Sequence, residues 1–329
     1  MLNKRQAKLL KLIIEDYIKT ARPVSSKSLS EIMKCSSATI RNEMGFLEEN
    51  NLIEKMHTSS GRIPSEKGYR YYVDYIMKPK EITGDDLLKL QTIFHNNSLM
   101  LNDTIIKSME IISELTNYTS IVLGSSSSEN KVTKVEVIPI GENNLIAIVI
   151  TDKGHVENRN LIIDASVSKI EIKQTVDLIN QLIIGTPINE VSSKLEFEVK
   201  PVISKFVKQH EVLYNAFYNV FSDFTNGSNF KMAGTKNILM QPEFNNTSKI
   251  REIIGKFEDQ EIINSIKEKD NGINIYIGSE NEFDEDVTVI KTKYNFNGEE
   301  GTIALIGPKR MEYDRALSLL DYIKNNIER

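Results

Sequence analysis

One cysteine, Cys35, occurs in 329 residues, so no internal disulfide can close and a reducing cytoplasm is the expected setting. No apolar run approaches the roughly 18 residues that a membrane helix needs, and the first residues are polar and charged. Neither a signal peptide nor a membrane anchor is expected. Only four histidines are present (His57, His95, His155 and His210), and none has a Cys or His neighbour at metal-ligand spacing. Gly124 and the four serines at 125–128 lack the following Gly-Lys-Ser/Thr of a phosphate-binding loop. The acidic run Glu282-Phe283-Asp284-Glu285-Asp286 lacks the ligand spacing and glycine of an EF-hand loop. Cys35 sits where a small apolar residue would pack in a turn, a poor place for a nucleophile. Non-enzymatic function, with no metal and no cofactor, is therefore expected.

What is present is enough apolar sequence, 40%, for packed cores, and enough length for two or three domains. The net charge of −5 hides an asymmetry. Residues 1–80 hold 15 Lys and Arg against 9 Asp and Glu, a net of +6, which leaves −11 for the remainder. A basic head on an acidic body draws a polyanion to the head and repels it elsewhere, so nucleic acid is the expected partner.

The head reads as a helix-turn-helix. Leu9, Leu10, Ile13, Ile14, Tyr17 and Ile18 form one apolar stripe of a first helix over residues 3–20, ended before Pro23. Ser25 or Ser26 caps a second helix, with Leu29, Ile32 and Met33 facing inward. Lys34-Cys35 is the turn, and Ser36 caps a third helix whose buried face is Ile40, Met44 and Leu47. Ser37, Thr39, Arg41 and Asn42 lie off that stripe. Arg suits guanine edges or phosphates, Asn suits adenine, and hydroxyls suit either. With Ser26 and Lys27 at the start of the second helix, these are the expected contacts of a recognition helix in the major groove. A polar face alone is more often merely solvated; the wing that follows tips the balance.

That wing is a strand at 52–55, a tip and a return through Pro64. His57, Thr58, Ser59, Ser60, Gly61 and Arg62 are candidate DNA contacts, with Gly61 permitting the sharp tip and Arg62 reaching a phosphate or the minor groove. Ser65 then caps a helix in which Lys67 and Arg70 are candidate backbone clamps, among tyrosines that pack on the core.

Pro23-Val24-Ser25-Ser26, the run from Ser36 to Met44, the run from His57 to Arg70, and Ile303 to Tyr313 near the far end together resemble the HrcA family of bacterial heat-inducible repressors. The resemblance implies a homodimeric repressor of chaperone operons that binds an inverted-repeat DNA operator. It also implies dependence on the GroEL chaperonin and loss of activity on heating.

Beyond a hinge at 78–84, helices are expected at 85–97 and 99–116, either as a stalk or packed on the next domain. A short buried strand at 121–123 precedes an antiparallel meander of strands at 132–140, 145–151 and 155–163. Helices follow at 167–184, ended by Gly185, and at 202–221. A strand is expected near 238–240, helices at 248–257 and 259–267, and strands at 273–277, 287–294 and 301–306, the last pair joined by Asn297-Gly298. A helix over 313–327 closes the chain. This order suggests an α+β sheet domain interrupted by a helical module. The resemblance makes the first GAF-like and the second a dimerisation domain. The expected divisions are 1–80 winged helix, 81–118 helical linker, 119–165 and 236–329 GAF-like sheet domain, and 166–235 inserted dimerisation domain. A winged-helix repressor switched by a small molecule in the GAF-like domain is the alternative, though no convergent polar set marks a ligand.

Overall fold

The computed structural model describes the chain except residues 1, 57–60, 83, 95–100, 125–129, 142, 153–155, 164–166, 207–209, 227–229, 297–298 and 329. It divides into two compact units, Met1–Gly124 with Phe230–Arg329, and Ser125–Asn229. The first unit begins with α1 (Lys4–Thr20), α2 (Ser26–Met33) and α3 (Ser37–Glu49), then β1 (Ile53–Lys55), β2 (Arg62–Pro64) and α4 (Glu66–Tyr71). A wider π turn, Tyr72–Ile76, continues α4. These elements form a winged helix-turn-helix.

α1 starts with a capping box: the Asn3 side chain accepts from the Gln6 N–H, and the Gln6 side chain accepts from the Asn3 N–H. Its stripe of Leu9, Leu10, Ile13 and Ile14 is fully buried against Ile40, Met44 and Leu47. Ile32, expected to face inward, is 57% exposed. An eight-residue helix spans only about two turns, and Leu29 is the residue it buries.

α5 (Asp85–Phe94) and α6 (Leu101–Thr116) lead into β3 (Thr119–Leu123). α6 buries Ile105, Met109 and Ile112 in the same core as the last helix, so the pair lines the sheet domain and is not a separate linker or stalk. The chain then leaves for the second unit, whose elements come next in order. They are β4 (Val132–Pro139), β5 (Asn144–Thr151) and β6 (Val156–Ile162), followed by α7 (Lys169–Ile183), α8 (Ile188–Lys194), α9 (Lys200–Phe206) and α10 (His210–Asn226).

This changes the expected division. The meander belongs to the inserted unit, where β4–β5–β6 form their own three-stranded antiparallel sheet. β5 alternates strictly, with Leu145, Ala147, Val149 and Thr151 turned inward against helices that bury Ile179, Ile183, Leu213 and Phe217. Residues 188–199 are also helical, a stretch for which the periodicity suggested no element.

β7 (Phe230–Ala233) resumes the first unit, followed by α11 (Thr235–Leu239), α12 (Thr247–Glu258), α13 (Gln260–Ser265), β8 (Ile273–Ile277), β9 (Val287–Phe296), β10 (Glu299–Pro308) and α14 (Tyr313–Ile327). The strand expected at 238–240 is thus the end of a helix, and the strand lies eight residues earlier. Ile238 is fully buried, and a short apolar run gives helix and strand the same signal. The sheet runs β7-β3-β10-β9-β8, antiparallel throughout. Leu123 pairs with Phe230, so the insertion leaves and re-enters at adjacent points of one ladder.

Both faces of this sheet are covered. Val122, Ile290, Ile303 and Leu305 pack on the side of α6, α14 and the winged helix. Ile121, Leu123, Val289, Ala304 and Ile306 pack with Ile253, Phe257 and Ile263 of α12 and α13. The expected Asn297-Gly298 turn and the serine loop at 125–128 lie outside the described residues.

Candidate nucleic-acid interface

Three serines position the recognition helix. Ser25 caps α2, its side chain accepting from the Ser28 N–H at 3.2 Å. Lys34 takes a left-handed conformation, φ +52°, which turns the chain between α2 and α3. Ser36 then caps α3, accepting from the Thr39 N–H at 3.1 Å, and its hydroxyl lies 2.9 Å from that of Thr39. Caps of this kind contribute about 1 kcal/mol each and fix where the helix begins.

The N-terminal half of α3 presents its polar residues outward. Arg41 and Asn42 are exposed, and Ser37 and Thr39 are half-buried at the edge of that face. Arg41 Nε donates to Ser26 Oγ at 3.3 Å, and Ser26 Oγ is also 3.1 Å from Ser37 Oγ. Ser26 therefore links the start of α2 to the polar face of α3 and limits the rotamers of Arg41. Lys27 is exposed beside it. On the other flank Glu43 is held by α1, accepting from Gln6 Nε2 at 3.1 Å with Arg5 at 3.8 Å.

The base of the wing is an antiparallel pair, Lys55 opposite Arg62. Arg62 also exchanges both backbone hydrogen bonds with Val24, at 2.8 and 2.9 Å, so the returning strand is stitched to the segment before α2. Its guanidinium is mostly buried, with Nε 2.9 Å and Nη2 2.8 Å from Glu48 Oε2. That makes Arg62 a strut between the wing and the end of α3, which its sequence position did not suggest. Gly61 has a different reason from the one expected. A Cβ there would stand 2.7 Å from Pro23 Cβ and 2.9 Å from its carbonyl, so close approach excludes a side chain. His57, Thr58, Ser59 and Ser60 lie outside the described residues.

Lys67 is exposed and donates to the Asn50 carbonyl at 3.1 Å. Arg70 does not join the others. Its Nε donates to Glu280 at 3.0 Å and its Nη1 to Asp74 at 3.3 Å, while Nη2 donates to the Ile275 carbonyl and Glu280. The guanidinium expected to clamp DNA faces the sheet. The hydrogen bond to Glu280 keeps the Arg70 pKa raised, against the opposing effect of burial.

Sequence reasoning missed the residues that hold the head on the sheet. Glu66 accepts from Lys309 Nζ at 3.0 Å and Ser279 Oγ at 2.9 Å. Burial alone would raise the Glu66 carboxyl, but those bonds outweigh it and hold it below its ordinary value. Arg310 donates to the Ile18 carbonyl of α1 at 3.2 Å and to Gln241 at 2.8 Å, and pairs with Glu243. Tyr69 and Tyr313, both fully packed, meet at a ring-centroid distance of 5.9 Å. Burial pushes both phenols far above their ordinary value, so they remain neutral. The run from Ile303 to Tyr313, whose resemblance to a family was plain but whose role was not, supplies Lys309, Arg310 and Tyr313. Among the described residues no group of acidic, Cys and His side chains is placed to hold a metal ion, and no helix is long and apolar enough to cross a membrane.

Comparison with known proteins covers the same ground. Residues 1–73 match the family model for the winged helix-turn-helix transcription repressor, HrcA DNA-binding, and residues 102–317 match that for the HrcA protein C terminal domain. The heat-inducible transcription repressor HrcA of Bacillus pumilus (strain SAFR-032) is 39% identical, covering 99% of this chain and 97% of its own. That of Listeria monocytogenes serotype 4a (strain HCC23) is 38% identical over 99% and 96%. A solved crystal structure of a hypothetical protein superposes with a TM-score of 0.71 at 24% identity, covering all of this chain and 98% of that one, which speaks for the fold. With both halves matched and relatives aligned along almost the whole length, the chain belongs to the HrcA family of heat-inducible transcription repressors.

Proposed function

We propose that the chain represses by placing the α3 helices of a homodimer in two half-sites of an inverted-repeat operator, one or more helical turns apart. The observation that carries this is the outward polar face of α3, capped by Ser36, with Arg41 steadied by Ser26. Ser37, Thr39, Arg41 and Asn42 supply base and phosphate contacts. Lys27 and Lys67 add backbone charge, and the wing residues from His57 to Ser60 extend the contact. Arg62 supports the wing from Glu48 and reaches DNA only through the strand it holds. The basic charge of the head, set against the acidic remainder, supplies the salt-dependent part of the affinity.

Heating lowers the active fraction, because a domain only marginally stable responds steeply to temperature. Dependence on the GroEL chaperonin, proposed on the family resemblance, would make unfolded clients compete for the refolding of the repressor. The site of this work is the cytoplasm.

The test is binding of the full chain to an inverted-repeat duplex and to one half-site, at two salt concentrations. Tight, salt-sensitive binding to the repeat and weak binding to the half-site are expected. Equal affinity for both would remove the dimeric reading. Refolding of heated protein with and without chaperonin, read by recovered operator binding, tests the last step.

A further inference from the structure

Among the described residues, β8 is the outermost strand of its sheet, with β9 on one side and no strand on the other. Alternate residues of an antiparallel strand turn their N–H and C=O to opposite sides. The outward set here is Ile273, Ile275 and Ile277, because the Ile275 carbonyl and the Ile277 N–H both meet groups other than β9. Glu280 accepts the Ile277 N–H at 2.8 Å. Arg70, reaching over from α4 of the winged helix, donates to the Ile275 carbonyl and pairs with Glu280. The sheet edge is therefore closed by a side chain that belongs to the reading head.

An open edge is a template for another strand, and proteins usually blunt it with charge, proline or a cover. The stretch Ile273-Asn274-Ile275-Tyr276-Ile277 carries no charge and no proline of its own. A groove of about 450 Å³ already runs beside it, lined by Arg70, Val73, Asp74, Met77, Asn274 and Ile275. The outward residues are also self-complementary. Two such edges laid antiparallel about Ile275 would exchange both hydrogen bonds between the two Ile275 residues and set Ile273 opposite Ile277.

We propose that the docked head is a removable cover for the β8 edge, and that on heating the uncovered edge pairs with β8 of a second copy. That pairing holds the head off the sheet and withdraws the chain from DNA. The inference rests on the reading that heat inactivates the repressor, and adds the surface through which it does so.

The experiment uses the full chain as wild type, Arg70→Ala, Ile273→Pro and the Arg70→Ala/Ile273→Pro pair. Light scattering on heating is referred to the unfolding midpoint of each variant by circular dichroism, with amide exchange at Ile277 measured at low temperature. Arg70→Ala should speed exchange at Ile277 several-fold and bring scattering on well before its own midpoint. Adding Ile273→Pro, at the strand position where proline is best tolerated, should return the onset to the midpoint; Ile273→Lys serves if the proline variant does not fold. An onset in Arg70→Ala that moves only with its midpoint overturns the proposal, as does an onset indifferent to both edge substitutions. Operator binding at low temperature is read separately: its absence in the wild type defeats the repressor reading and leaves the scattering result to judge the edge.

Discussion

Gly278 and Glu66 touch where the winged helix meets the five-stranded sheet: a Cβ on Gly278, whose φ is +55°, would stand 2.2 Å from Glu66 Oε1. Glu66 cannot step aside freely, because Lys309 and Ser279 hold its carboxylate. Gly278→Ala should therefore cost about 1–3 kcal/mol, from the left-handed backbone and from displaced Glu66. Thermal unfolding measures it, and Glu66→Ala in the same background should recover only the part due to collision. Full recovery would assign the whole cost to the contact.

Acid should loosen the same region through two carboxylates. For Asp284, 1% exposed at its side chain, burial would raise the pKa. The hydrogen bonds from Lys256, the Asp286 N–H and Lys249 outweigh it and lower the value, as Lys309 and Ser279 do for Glu66. A carboxylate depressed in the folded state stabilises above its unfolded pKa, about 4, and the contribution is lost as pH falls through the folded value. Unfolding free energy should thus fall below about pH 4, and Asp284→Asn should flatten that fall while destabilising at neutral pH by about 3 kcal/mol. A variant with the acid limb of the wild type would exclude Asp284 from it.

Arg41→Ala should weaken operator binding by about 1–3 kcal/mol while leaving the melting temperature unchanged, since Arg41 is exposed and its side chain makes a single long hydrogen bond, to Ser26, among the described residues. Ser26→Ala should cost less and in the same direction. Equal operator affinity for Arg41→Ala and wild type removes Arg41 from the reading face.

Arg62→Ala should act on stability more than on charge. It leaves half-buried Glu48 with Lys55 at 3.8 Å as its remaining ion-pair partner among the described residues, and should lower stability by about 1–2 kcal/mol. The slope of operator affinity against salt should stay that of the wild type. A slope reduced by about one unit would return Arg62 to a phosphate contact.

Much of the head was legible because its signals are local. Ser36 three residues before Thr39, the stripe of Ile40, Met44 and Leu47, and Pro23 after Arg22 each act within a turn or two of the chain. Arg70 was misjudged for the opposite reason. Its partners Glu280 and Ile275 are some two hundred residues away, and nothing in the spacing of α4 separates a cation facing DNA from one facing another domain. The meander was misplaced likewise: alternation shows that β4, β5 and β6 are strands without showing which sheet they join. Gly61 was read as a turning residue, whereas Pro23 packed against it is what excludes a side chain.

The sequence by itself determined the winged helix, its caps and polar face, the sign of its charge, and the family. These follow from residue type, helical period and near neighbours. Tertiary structure alone decided that Lys309, Arg310 and Glu280 hold that head to the sheet, that the insertion spans Ser125–Asn229, and that Arg70 closes the edge of β8. Each of these joins segments far apart in the chain, where pairing depends on which faces and edges the rest of the fold leaves open.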